Sequence, residues 1–201
     1  MNPLNSIAGT IIGGVVLAII LVLVTMGNHV VAVISVIIWL HVLAGITWIG
    51  LLYYFNFVQT PALAEAAADD GGPGGAGITK YVAPRALSWF RWASLVTWLT
   101  GAAFLLHRGQ LDDAFALGML TEVPDPYAVT IGIGAWLGTI MLFNVWGLIW
   151  PNQKKILGLV EASADEIAKA RKIAFTASRL NTLMSVPLVM SMVGAGHGFF
   201  M

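Results

Sequence analysis

The first 64 residues contain no lysine, arginine, aspartate or glutamate, and this feature limits the possible folds more than any other. Soluble domains carry about 25% charged residues, whereas this 201-residue chain carries 10% and is 58% hydrophobic. His41 lies deep inside the uncharged region, where an ionisable side chain is costly and marks a candidate functional site. The sequence therefore predicts an integral membrane protein organised around His41.

Five apolar runs reach the roughly 20 residues that an α-helix needs to cross a bilayer. They comprise residues 7–26, 29–58, 84–106, 127–150 and 180–200. Pro61 and Pro151 are expected to end the second and fourth spans, because proline disrupts a helix interior. We therefore expect an all-α fold, an integral membrane helical bundle with five transmembrane helices in a single membrane domain of residues 1–201.

Two connecting segments have a distinct composition. Residues 62–79 are rich in glycine and predict a flexible loop. Residues 154–177 alternate charged and aliphatic side chains at helical spacing, and Ser163 with Glu166 matches a capping box, so we expect an amphipathic helix. Lysine and arginine concentrate after the second and fourth spans. The positive-inside rule then places these loops and the N-terminus in the cytoplasm and the C-terminus outside.

Composition also excludes several kinds of function. The chain has no cysteine, which excludes disulfides, thiolate metal sites, a cysteine nucleophile and the covalent attachment of a c-type haem. Its formal net charge is zero, so nothing indicates a nucleic-acid partner. The partner that the composition does indicate is the lipid bilayer.

All four histidines, including His29 at the start of the second span, are predicted to lie in the outer half of the membrane. Counted from the cytoplasmic end of each helix at about 1.5 Å per residue, His41 and His197 lie roughly 27 Å up, and His107 roughly 33 Å up. Two histidines on facing helices can supply axial nitrogens to a b-type haem (heme b). We expect His41 and His197 as ligands and His107 as a substitute, with Gly45 leaving room for the ring and Trp48 packing on it.

These residues also have other interpretations. Glycines at this density are ordinary in packed membrane helices, and histidines at helix ends are often interfacial residues. A copper or zinc site at the outer surface is a further alternative, and it would be built from His29, His107 and His197.

A second group of polar residues lies in the inner third of the predicted spans. It consists of Arg91, Asn56, Asn144 and Asn181. Unpaired polar groups are costly in lipid, so these side chains predict a polar pocket that binds an anionic head group, a quinone or a small substrate. The alternative is that Arg91 extends to the cytoplasmic surface by itself.

The run WLHVLAGITWIG at residues 39–50 resembles the membrane N-terminal domain of bacterial urate oxidase, the urate hydroxylase linked to cytochrome c. The similarity continues through RALSWFRW at 85–92, TWLTG at 97–101, IWPNQKK at 149–155 and the spacing of Asn181, Pro187, Met192 and His197. The string around His41 is shared more loosely with haem-associated membrane proteins of the copper-resistance D and protoporphyrinogen oxidase J types.

The resemblance implies a bacterial inner-membrane protein connected with the oxidation of urate or a related purine. The full-length urate enzymes carry a cytochrome c domain, which this cysteine-free chain cannot supply. We therefore expect a membrane redox protein that passes electrons to a cytochrome c or a respiratory partner. The alternative is an accessory subunit without its own chemistry, which stabilises a larger membrane complex.

Overall fold

The computed structural model describes residues 2–26, 31–120 and 122–198, and the regular structure in these ranges is helical throughout. The predicted all-α fold is therefore confirmed. Contacts divide the chain into two compact units, Met1–Val36 and Ile37–Met201, where the sequence suggested one domain. His29 lies outside the described residues, so its predicted role at an outer metal site stays a prediction.

The first unit contains helix α1, Ile7–Met26, which follows a 3₁₀ turn at Pro3–Asn5. The side chain of Asn2 caps this turn by accepting a hydrogen bond of 2.9 Å from the backbone N–H of Leu4. α1 is apolar on all sides, and none of its spanning window is buried within the protein. A helix of this composition needs lipid around it.

The second unit contains the remaining helices, of which the first begins shortly before the unit boundary. They are α2 (Val33–Tyr53), α3 (Thr60–Ala68), α4 (Ala83–His107), α5 (Leu111–Phe115), α6 (Pro126–Phe143), α7 (Trp150–Ile156) and α8 (Ala164–His197).

Three π-helical segments each end two residues before a proline. They are π1 (Tyr54–Gln59) before Pro61, π2 (Ile78–Val82) before Pro84, and π3 (Asn144–Ile149) before Pro151. Proline has no N–H to donate, and its ring displaces the carbonyl one turn earlier. The wider turn of a π-segment accommodates both defects, so the helix continues through the proline.

The helices are consequently longer than the prolines predict. One helical stretch runs from Val33 to Ala68 and another from Pro126 to Ile156, so Pro61 and Pro151 do not end their spans. The irregular backbone between α3 and π2 comprises only residues 69–75. The flexible loop expected at 62–79 is therefore mostly helical.

Helix α8 joins two segments that the sequence separates. The capping box is present: the Ser163 side chain accepts from the N–H of Glu166, whose carboxylate accepts from the N–H of Ser163. From there α8 runs for 34 residues. It thus combines most of the expected amphipathic helix with the fifth span. A seam of mainly small buried residues runs from Ala170 to Ala195, and α6, π3 and α7 pack against α8. Small residues let neighbouring helix backbones approach closely.

Four helical stretches of the described chain are long and apolar enough to cross a membrane. They are Ile7–Thr25, Val33–Ala68, Pro126–Ile156 and Ala164–His197. With 25 residues, α4 also has the length of a span, but it contains Arg85 and Arg91 and is less apolar. A membrane protein is supported, whereas the fifth span and the orientation stay predictions.

Candidate functional site: an apolar cavity around His41

A large apolar cavity of about 810 Å³ lies between α2, α4, α6 and α8, entirely within the second unit. This volume is within the range of small-molecule and cofactor sites, roughly 300–1,000 Å³. Three of the predicted site residues line it, namely His41, Gly45 and Trp48. The long α8 contributes a wall through Leu188, Met192 and neighbouring residues.

The imidazole of His41 is held by α4 in one tautomer. Its Nδ1 lies 2.8 Å from the carbonyl oxygen of Thr97. A carbonyl can only accept, so Nδ1 is the donor, and in a neutral imidazole Nε2 then carries the lone pair. The hydroxyl of Thr100 donates to the carbonyl of Val96 at 2.6 Å, and its oxygen lies 3.4 Å from Nδ1. His41 thus presents a basic nitrogen at the wall of an apolar cavity.

Gly101 makes the approach of His41 to α4 possible. A Cβ at this position would lie only 2.9 Å from Cε1 and 3.2 Å from Nδ1 of His41. Thr97 and Gly101 are four residues apart and therefore share one face of α4. That spacing is visible in the motif TWLTG, but the sequence gives no sign that His41 is the partner of this face.

Trp48 lies two helical turns after His41 on α2. Its side chain is only 2% exposed, which makes it one of the most buried side chains in the described chain. Its indole Nε1 is buried and has no hydrogen-bond partner among the described residues. A buried tryptophan usually finds an acceptor, so Trp48 holds an unused N–H donor in the interior of the described chain.

The cavity wall carries one full positive charge, at Arg108. Arg108 caps the C-terminus of α4, and its Nε donates to Oε1 of Gln110 at 2.8 Å. Its guanidinium carbon lies 5.7 Å from the ring centre of Tyr127, which also lines the cavity. Arg108 was assigned to no site from the sequence alone, because nothing in the sequence connects the end of α4 with a cavity that several helices form.

His107 and His197 lie away from this cavity. Both side chains are exposed, and neither lines it. His197 Nδ1 lies 2.9 Å from the carbonyl oxygen of Val193 on its own helix. The structure therefore does not bring His197 together with His41. Among the described residues, no group of three or more histidine, aspartate or glutamate side chains is arranged to hold a metal ion.

The three predicted asparagines are buried and bonded within the protein. Asn144 Nδ2 donates to Asn181 Oδ1 at 2.8 Å, and Asn181 Nδ2 donates to the carbonyl of Met141 at 3.0 Å. Asn56 Nδ2 donates to the carbonyl of Leu52 at 2.9 Å and to the hydroxyl of Ser178 at 2.8 Å. These bonds tie π1 and π3 to α8, which is a structural use of the amides.

Arg91 lies among aromatic rings instead of the amides. Its guanidinium carbon lies 3.8 Å from the ring centre of Trp150, 5.3 Å from that of Trp146 and 5.6 Å from that of Trp92. The four polar residues thus form three separate arrangements: the hydrogen-bonded pair of Asn144 and Asn181, Asn56 bonded to Ser178, and Arg91 stacked on tryptophans.

Comparison with known proteins gives one family. A family model described as urate oxidase N-terminal matches residues 28–110 and 114–201. The match includes His41 and every cavity residue named above. No curated protein matches the chain. No solved structure matches it either.

Proposed function

The chain belongs to the urate oxidase N-terminal family, and on this basis we propose that it is a membrane redox protein that holds a b-type haem in the His41 cavity. Its role is to pass electrons from the oxidation of urate or a related purine to an external acceptor. A cytochrome c or a membrane complex fits the role of acceptor, since the chain has no cysteine for a c-type haem of its own.

The arrangement of His41 is the observation that carries the proposal. Metal-binding histidines almost always donate their second ring N–H to a carboxylate, a backbone carbonyl or water, which fixes the ring and raises its basicity. His41 has this arrangement, with Nδ1 donating to the Thr97 carbonyl at 2.8 Å. Its Nε2 is then available as a ligand at the wall of an apolar cavity.

Other residues of the cavity fit a haem as well. Gly45 lines the cavity one turn after His41, and Gly101 lets the imidazole lie directly against α4. Met192 brings a thioether, which serves as a haem ligand beside histidine in other proteins. Arg108 lies seven residues after Gly101, so roughly 10 Å further along α4. That offset is comparable with the distance from a porphyrin centre to its propionate groups, which a guanidinium would pair with.

The chain's own residues have defined tasks in this proposal. Thr97 holds the His41 tautomer, while Trp48 and the aliphatic wall exclude water from the cavity. Arg108, exposed at the end of α4 and at the wall of the cavity, is available to pair with a bound carboxylate. When bound, a b-type haem supplies reversible transfer of one electron.

The absorption spectrum of the purified, detergent-solubilised chain tests the proposal. We expect a Soret band and sharp α and β bands after reduction, which His41→Ala removes. His107→Ala is the matched control, because that histidine is exposed and lies off the cavity, and it should keep the spectrum. His197→Ala should also keep it, if α8 contributes no histidine ligand.

Two results would reject the haem. One is a colourless protein that takes up no added haem. The other is a spectrum that is unchanged by His41→Ala. A colourless protein that copurifies stoichiometrically with another membrane complex would favour the accessory subunit that the sequence also suggested.

A further inference from the structure

Arg91 carries hydrogen-bond donors that nothing in the described chain accepts. Its Nε is buried and has no partner. Within residues 2–26, 31–120 and 122–198, the ion pair that is present joins Lys155 to Glu166, so no carboxylate neutralises Arg91. An unpaired polar group in an apolar environment is expensive, and this cost requires an explanation.

The tryptophans hold the guanidinium without satisfying its N–H groups. Trp150 lies over it at 3.8 Å, and Trp146 and Trp92 contact each other edge to face at 5.4 Å nearby. A guanidinium is planar, and its five donors point outward in that plane. A ring over its face, as Trp150 is, therefore holds the guanidinium through cation–π attraction without accepting from its N–H groups.

A second unused donor belongs to one of the rings that contact Arg91. The indole Nε1 of Trp146 is also buried without a partner, and its ring centre lies 5.3 Å from the Arg91 guanidinium carbon. Trp146 belongs to π3, and π-segments inside α-helices are frequent at functional sites. Lys154 follows Trp150 by one turn on α7, which places it on the same side of that helix.

We infer that Arg91 and Trp146 form a binding site for a phosphate-type oxyanion. Such a group offers several acceptor oxygens to both donors and supplies the missing negative charge, whereas a water molecule could accept from the donors but would leave the charge unpaired. Either a phospholipid headgroup or a free phosphate has this chemistry. Neither Arg91 nor Trp146 lines the His41 cavity, so the site is independent of the haem.

Titration of the full-length protein in detergent tests the site, with bound lipid counted by native mass spectrometry. The probes are phosphatidylglycerol, a glycolipid without phosphate, and inorganic phosphate. Trp146→Phe removes one N–H and keeps a packed ring, so it should weaken phosphatidylglycerol binding about tenfold, the value of one good hydrogen bond to an anion. Arg91→Gln should weaken it further. Trp89→Phe is the matched control and should leave the affinity unchanged, because Trp89 is exposed on α4 and is not one of the rings that contact Arg91.

The probes also separate the two sources of the oxyanion. Preference for phosphatidylglycerol over the glycolipid identifies a lipid headgroup, and binding of inorganic phosphate alone identifies a soluble anion. Both outcomes support the site if Trp146→Phe and Arg91→Gln weaken the binding. Equal binding of all three probes, or equal binding by the wild type and Trp146→Phe, would overturn the inference.

Discussion

Replacing Gly101 with alanine tests whether α4 holds the imidazole of His41 in place. The new Cβ would lie 2.9 Å from Cε1 of His41. Since non-bonded carbon atoms prefer a separation of at least about 3.5 Å, the ring must retreat by roughly 0.6 Å. Retreat from α4 also carries Nδ1 away from the carbonyl of Thr97, now at 2.8 Å, to a distance beyond the usual N–H···O range.

Opposing effects determine the change in stability. Overpacking costs about 1–3 kcal/mol, and the lost hydrogen bond adds about 1 kcal/mol. Alanine is favoured over glycine inside a helix by about 1 kcal/mol, which offsets part of the loss. We therefore expect Gly101→Ala to lower the free energy of unfolding by about 1–3 kcal/mol.

Gly50→Ala is the matched control for this experiment. Gly50 lies on α2 with His41, and a Cβ there would meet no atom within 4 Å, so this variant should be as stable as the wild type or slightly more stable. Unfolding in detergent measures the two stabilities, and ¹⁵N spectra of histidine-labelled protein report whether Nδ1 keeps its proton. If Gly101→Ala matches Gly50→Ala in both measurements, α4 does not hold His41.

Two further predictions concern the amide pair and the cavity charge. Asn181→Ala leaves the Asn144 side-chain amide without its acceptor in the interior and removes one of the two donors to the Met141 carbonyl, so we expect it to lower the free energy of unfolding by about 1–3 kcal/mol. Leu183→Ala on the exposed face of α8 should change the free energy of unfolding little. An equal loss of stability in both variants would contradict a stabilising role of the Asn144–Asn181 pair. Arg108→Gln should weaken haem binding about tenfold in a spectroscopic titration, yet leave the affinity for haem dimethyl ester unchanged, because the ester has no carboxylate to pair. An equal loss of affinity for haem and for its dimethyl ester would rule out pairing between Arg108 and the haem carboxylates.

The class of protein follows from the sequence, but the helix ends do not. Long uncharged runs have no stable alternative to membrane helices, so the positions of the helices were predictable from composition. Proline normally disrupts a helix interior, and this rule failed at Pro61 and Pro151. In each case a π-segment accommodates the proline within a continuous helix, and that adjustment depends on packing against neighbouring helices.

One half of the candidate site was predictable and the other half was not. His41 stands out because it is ionisable within an uncharged region, and Gly45 and Trp48 follow from helical spacing along the same face. Thr97 and Gly101 belong to α4, and nothing in a single sequence tells which face of α4 meets α2. Arg108 was missed for the same reason.

A count of residues along each helix cannot predict whether His41 and His197 face each other. The count gives depth in the membrane but not direction around the helix axis. Ala195 belongs to the buried seam of α8, and His197 is two residues later, so about 200° around the helix. The spacing of small residues along α8 carried this information, because such residues mark the packed face.

The most direct test of the central claim is rescue of His41→Gly by free imidazole. That variant removes the side chain and leaves a space beside Gly101 for a small ligand. If His41 Nε2 binds the haem, the reconstituted variant should lose the wild-type Soret and α bands and regain them when imidazole is added. Wild-type-like bands in His41→Gly without imidazole would show that the haem is held elsewhere and would contradict the account.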